Sequence, residues 1–246
     1  MTANLAEPSR SAWKVLYVVG GVAALLTVLN GLAEIGITFL PGGGMFAGPV
    51  TAVDWFTLYR GSPFLGMRNL GLLNIIFTFL SIPLTYALYA AHRRTHQAFA
   101  GLFLIAALLG VAVFLAGNRA FPMLELSSRY AAAGTETQRS ALAAAGEAML
   151  AVGQSHTPGT FLAFFFSTLA GLGLSLVMLR AGIFSKASAI LGIAGFGLLL
   201  LFEITADFAP GFRGTFLFAA IGGPLSLAWD LLVALGLFRL AGQPGA

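Results

Sequence analysis

Three carboxylates stand inside long apolar stretches of this chain: Glu34, Glu203 and Asp230. A charged side chain in the hydrocarbon of a membrane is costly unless it is paired, hydrated or neutralised. A carboxylate in that environment can bind a cation, accept hydrogen bonds from a polar ligand or exchange a proton. These three residues are therefore the first candidates for a functional site.

Other polar side chains fall at a depth similar to that of Glu34 and Glu203. Asn30 lies one helical turn before Glu34, so the two share a helix face. We predict a polar pocket in the outer half of a helical bundle, lined by Asn30, Glu34, Asn74, Arg119 and Glu203. The alternative, which we favour, is that these residues fasten helices together, for instance with Glu34 paired to Arg68 and Glu203 paired to Arg119.

Asp230 stands apart from this group, in the inner half of the last apolar stretch and beside Trp229. Long arginine side chains can reach along a helix to a buried partner. We expect Asp230 to pair with Arg239 or Arg180. A proton-binding role for this buried carboxylate is the alternative.

We predict that these residues are positioned by six helices that cross a membrane. Hydrophobic residues make up 58% of the chain, charged residues make up 9%, and the mean hydropathy is +0.90. Soluble domains carry roughly a quarter charged residues. At ~1.5 Å rise per residue, about twenty residues cross the ~30 Å hydrocarbon core. The predicted fold is all-α, a single domain over residues 1–246, with spans at residues 13–39, 70–91, 98–117, 160–179, 187–206 and 215–238.

The connection at residues 118–159 is long enough to hold structure of its own, and we expect the other connections to hold none. Phe121–Ala133 is predicted to form one short helix. Thr135 and Gln138 have the spacing of a capping box, which predicts a second helix that ends at Gly153. These helices could form a lid over a pocket, but a cap packed on the end of the bundle is favoured. The stretch Pro41–Pro49, rich in glycine, is predicted to be flexible.

Lysines and arginines indicate the orientation. Seven lie at the termini and in two short turns on one side: Arg10, Lys14, Arg93, Arg94, Arg180, Lys186 and Arg239. The basic residues on the other side are diluted through longer loops. By the positive-inside rule, both termini are predicted to face the cytoplasm.

The sequence lacks the residues and motifs that several familiar chemistries require. There is no cysteine, and the three histidines, His92, His96 and His156, are expected in loops rather than at haem-ligating positions in the bundle. His92 and His96 have metal-ligand spacing, but two arginines lie between them. No phosphate-binding loop, nucleophile elbow or zinc-protease motif is present. We therefore expect no cofactor, no metal and no catalytic residue, and the scattered basic residues do not indicate nucleic acid.

Four stretches support a resemblance to a known family: Leu126–Ala133, Ser140–Glu147, Ser175–Lys186 and Ala189–Ile193. Together with the number of spans and the long third loop, they resemble the bacterial membrane-protein family catalogued as domain of unknown function 4386. The resemblance extends from about Ala12 to Leu240. It implies a six-helix protein of the bacterial cytoplasmic membrane, and it implies no catalytic or binding residue.

Three classes of function are consistent with the sequence. The first is a non-enzymatic accessory protein, or one that binds a small molecule or lipid, with the bilayer, another membrane protein or a second copy of the chain as partner. The second is a small proton- or cation-coupled transporter that uses Glu34 and Glu203. The third is an intramembrane enzyme that modifies lipid. We rank them in that order because neither recognisable catalytic groups nor an internal repeat is visible.

Overall fold

A computed structural model describes residues 7–41, 49–209 and 211–243 of the chain. Within these ranges the structure is helical and contains no strand. The helices are α1 (Glu7–Thr38), α2 (Ala52–Gly61), α3 (Pro63–Asn69), α4 (Leu72–His92), α5 (Gln97–Gly117), α6 (Ala120–Ala132), α7 (Glu136–Gly153), α8 (Phe161–Ala181), α9 (Lys186–Phe208) and α10 (Thr215–Ala241). Most of the stretch predicted to be flexible, residues 42–48, lies outside the described residues.

The six predicted spans are confirmed, since six described helices are long and apolar enough to cross a membrane. They are α1, α4, α5, α8, α9 and α10. The chain is therefore a polytopic helical membrane protein. The observed ends differ from the predicted ends by a few residues, except at the start of α1, which begins at Glu7.

The six long helices form a closed circle. Each packs against the next long helix along the chain, and α10 returns to pack against α1. The circle therefore runs α1, α4, α5, α8, α9, α10. Because consecutive spans run in opposite directions and there are six described spans, the start of α1 and the end of α10 lie at the same end of the bundle, which we call the termini end. The opposite end is the cap end.

Apolar side chains fill the half of the bundle nearest the termini end. The cluster draws on α1, α4, α8, α9 and α10, and its buried members include Tyr17, Leu84, Leu88, Leu174, Met178, Trp229, Val233 and Leu237. Leu88, Val233 and Leu237 are completely buried. Buried apolar side chains therefore fill the space between the helices in this half of the bundle.

Glycines allow the close approach of neighbouring helices. A Cβ added at Gly222 of α10 would lie 3.0 Å from the carbonyl oxygen of Gly195 in α9. A Cβ at Gly173 of α8 would overlap the Phe103 ring of α5. Small residues at such crossings bring helix backbones together in membranes, where van der Waals packing drives association.

Four short helices form a cap over the end opposite the termini. Helices α6 and α7 confirm the prediction of two helices between the third and fourth spans. The expectation that residues 40–69 hold no structure was wrong, because this connection forms α2 and α3. Thr51 and Asp54 form a capping box that starts α2, and Ser62 both ends α2 and caps α3.

The cap has its own apolar core. Trp55, Phe56 and Tyr59 of α2 pack against Ala120 and Met123 of α6. Tyr59 is 1% exposed, and its hydroxyl donates a hydrogen bond of 2.8 Å to the carbonyl oxygen of Ala120. Burial raises the pKa of Tyr59, so the phenol keeps its proton and remains a donor.

We expect Tyr59→Phe to loosen the cap, because the change removes this buried hydrogen bond to the Ala120 carbonyl, at a cost of about 0.5–1.5 kcal/mol. Amide hydrogen exchange in α2 and α6 should accelerate, while exchange in α9 should not change. Tyr130→Phe is the matched control, since Tyr130 packs on Phe56 through its ring. Equal exchange in the two variants would contradict this role for the Tyr59 hydroxyl.

Candidate functional site

The centre of the bundle contains a cavity of about 390 Å³, which we call the central cavity. All six long helices contribute to its wall. Most of the wall is apolar, with Phe77, Phe164, Phe196 and Leu227 among the lining residues. Protein interiors rarely contain voids much larger than a water molecule. A space of this size lies within the range of small-molecule binding sites.

A second cavity of about 220 Å³ lies between the bundle and the cap, and we call it the vestibule. Trp55 of α2 and Arg68 of α3 line it on the side of the cap. Glu34, Asn74 and His156 line both cavities. These three residues therefore mark the boundary between the vestibule and the central cavity.

Glu34 forms the ion pair predicted from the sequence. Its carboxylate lies 2.9 Å from Nη2 of Arg68, which is 5% exposed. Arg68 also donates to the carbonyl oxygen of Glu34 at 2.7 Å and to the hydroxyl of Thr38. Arg68 belongs to the cap and Glu34 to the first span, so this pair fastens the cap to the bundle.

Glu203 is paired with His156, and the predicted pairing with Arg119 was wrong. Nδ1 of His156 lies 3.0 and 3.1 Å from the two carboxylate oxygens of Glu203. Glu203 is only 3% exposed. His156 lies in the loop between α7 and α8, as expected, but its side chain turns into the bundle. The sequence carried no signal for this contact, because a histidine in a connecting loop gives no indication that its side chain enters the bundle.

The backbone of His156 is held in an unusual conformation. Its φ is +57°, in the left-handed region that non-glycine residues seldom adopt. The ring stacks on Phe164 at 4.7 Å and meets the edge of Phe202 at 4.8 Å. The ring contacts and the bond to Glu203 offset the backbone cost and fix the imidazole at the cavity wall.

The pKa of His156 reflects two opposing effects. Burial lowers it, whereas the hydrogen bond to Glu203 and the charges of Glu203, Asp207 and Glu34 raise it more. The net pKa lies above the ordinary value of 6.5. The imidazolium form is therefore stabilised at the boundary between the cavities.

The three remaining pocket candidates do not share one cavity. Asn74 lines both cavities. Asn30 is buried and donates 3.1 Å to the carbonyl oxygen of Leu73, so it fastens α1 to α4 and is not among the cavity-lining residues. Arg119 lines neither cavity and donates to the carbonyl oxygens of Ala116 and Asn118 near the start of α6.

The expectation that Asp230 pairs with an arginine was wrong. Arg239 donates instead to the carbonyl oxygen of Ile183 at 2.8 Å. Asp230 lines the central cavity, roughly 22 Å along α10 from its start at Thr215. The cavity therefore extends beyond the outer half in which the pocket was predicted, and Glu34, Glu203 and Asp230 all line it.

His92 was expected in a loop, and this was wrong. It is the last residue of α4, is completely buried and has Nδ1 2.8 Å from the carbonyl oxygen of Leu88. Within the described ranges, no three His, Asp or Glu side chains are grouped so as to hold a metal ion.

These features define a class: a multi-pass membrane protein with a capped cavity at the centre of a six-helix circle. The family model described as domain of unknown function (DUF4386) matches residues 63–241, and the chain belongs to that family. No curated protein and no solved structure matches the chain. Asn74, His156, Glu203 and Asp230 lie within the matched residues, whereas Glu34 precedes them.

We expect the stability of the protein to fall as pH rises above about 6.5 through the raised pKa of His156. A histidine whose pKa is raised by folding stabilises the fold while it is protonated, and this contribution disappears when the proton leaves. The midpoint of thermal unfolding should therefore decrease more steeply with pH for the natural chain than for His156→Asn. Asparagine tolerates the left-handed backbone.

His96→Asn is the control, because His96 lies in the turn between α4 and α5 at the other end of the bundle. Its pH profile should match that of the natural chain. The same pH slope in the natural chain and in His156→Asn would contradict a stabilising imidazolium at position 156.

Proposed function

We propose that this protein binds a small amphiphilic molecule, a lipid or a compound of similar character, in the central cavity. The observation that carries the proposal is a cavity of about 390 Å³ lined by all six spans, with mostly apolar walls and a few polar groups at defined positions. Ligand sites have this composition, in which apolar surface supplies affinity and a few polar groups fix orientation.

The cap supports a binding role over transport. A carrier needs an opening toward each side of the membrane, and the half of this bundle nearest the termini is filled by Leu88, Val233, Leu237 and their neighbours. The vestibule lies toward the cap end and shares Glu34, Asn74 and His156 with the central cavity. A transport cycle would have to open this apolar packing.

A lipid-modifying enzyme is the second candidate, and one observation favours it. His156 and Glu203 form a hydrogen-bonded pair beside the cavity, which is an arrangement used for general acid–base catalysis. The two functions differ in their product. A binding protein releases its ligand chemically unchanged, whereas an enzyme converts it, and mass spectrometry of a recovered ligand distinguishes these results.

Thr78→Phe tests the binding proposal, because Thr78 lines the central cavity and a phenylalanine there would occupy part of it. Inserting bulk into a fitted site costs about 1–3 kcal/mol, so we expect roughly tenfold less bound molecule. The purified protein would be extracted, and the small molecules and lipids retained would be measured by mass spectrometry.

Ile76→Phe is the matched control, on the same helix at a position that is 43% exposed and does not line the cavity. The natural chain and Ile76→Phe should retain the same enriched species. Identical lipid profiles in all three preparations would refute an occupied central cavity.

We further propose that the termini face the cytoplasm of a bacterial cell, supported by the basic residues in the short turns at the termini end. The chain has no cysteine, so single cysteines can report its orientation. A membrane-impermeant maleimide added to intact cells should label Glu136→Cys in the cap. It should label Thr95→Cys, in the turn between α4 and α5, only after permeabilisation. The reverse pattern would invert the proposed topology.

A further inference from the structure

Asp230 is the one intramembrane carboxylate, within the described chain, that lines the central cavity and has no hydrogen bond or ion pair. It is 6% exposed, and its exposed surface borders the cavity. Glu34 and Glu203 have Arg68 and His156 as partners. A buried ionised carboxylate without a partner is unfavourable, and the position of Asp230 at a cavity wall leaves room for a partner from outside the chain.

The charges around the cavity specify the sign of that partner. Three carboxylates, Glu34, Glu203 and Asp230, line the cavity. Arg68 compensates the first, and the imidazolium of His156 compensates the second. Among the described carboxylates that line the cavity, Asp230 alone has no cationic partner. A ligand with one positive charge would stabilise the ionised form of Asp230, whereas an anionic ligand would disfavour it.

Aromatic side chains around the cavity also suit a cation. Phe196 and Trp229 line it, with their rings edge to face at 5.0 Å. Phe77 and Phe164 line other parts of the same wall. The faces of aromatic rings attract cations, and they also accept the apolar body of a ligand.

We propose that the central cavity selects a lipophilic monoamine in its protonated form. The ammonium group donates hydrogen bonds to the carboxylate of Asp230, and the apolar body lies among the aromatic and aliphatic walls toward the vestibule. This inference rests on the proposed function, and it names the chemical class of the ligand and the residue that recognises it.

Three probes with one apolar body test the selectivity: 4-phenylbutylamine, 4-phenylbutan-1-ol and 5-phenylpentanoate. They share a phenylbutyl group and differ in the charge of the polar end. Binding would be measured by isothermal titration calorimetry on the full chain in lipid nanodiscs, with titrations into empty nanodiscs subtracted. We expect the amine to bind roughly tenfold or more tightly than the alcohol, because hydrogen bonds between charged groups are the stronger ones. The carboxylate should not bind.

Asp230→Asn tests the residue. The amide keeps the size of the side chain and removes its charge, so the advantage of the amine over the alcohol should disappear while the alcohol still binds. Asp207→Asn is the matched control, since Asp207 is also buried, at 8% exposure, but does not line the cavity. That variant should keep the preference for the amine.

The outcomes separate this inference from the proposed function. Equal binding of amine and alcohol by the natural chain, or an unchanged preference in Asp230→Asn, overturns the amine proposal and leaves a cavity that binds small molecules. Absence of binding by all three probes overturns the amine proposal, and the extraction experiment with Thr78→Phe then decides the proposed function separately. The comparison of probes on the natural chain decides the selectivity even if Asp230→Asn does not fold.

Discussion

Carboxylates in a membrane interior are costly without partners, and the pairing of two of them, Glu34 and Glu203, connects the two parts of the molecule. Hydrocarbon cannot hydrate a charge, so Glu34 and Glu203 depend on cations supplied by the protein. Both cations come from the short connecting segments: Arg68 from α3 and His156 from the loop after α7. The same contacts that neutralise the spans therefore hold the cap in place and position the boundary between the vestibule and the central cavity.

The two halves of the bundle differ in how their interior is filled. Near the termini, side chains such as Met178 and Leu237 fill the space between helices and stabilise the circle by close packing. Toward the cap, the same helices leave a cavity with polar groups on its wall. A site built this way needs no rearrangement of the spans to exist, since the packed half fixes the positions of the helices around the open half.

The sequence was sufficient to predict the features that depend on local composition. It was not sufficient to predict the contacts that depend on tertiary packing. The spans followed from apolar length, and the pairing of Glu34 with Arg68 is present as predicted. Helices α2 and α3 were missed because they are only 10 and 7 residues long, although the capping box at Thr51 was a visible signal. The partner of Glu203 and the isolation of Asp230 depend on how distant helices meet. No rule about residue spacing reveals such long-range contacts, and none predicts the central cavity.

The attachment of the cap has a kinetic consequence for any occupant of the central cavity. The vestibule lies beneath the cap, and two ion pairs, Glu34 with Arg68 and Glu203 with His156, must separate before that segment can lift away as a unit. Such pairs are costly to break in a setting of low dielectric constant. For a ligand that enters and leaves through the vestibule, the opening of the cap would limit the rate of exit, so even a ligand of modest affinity would leave slowly.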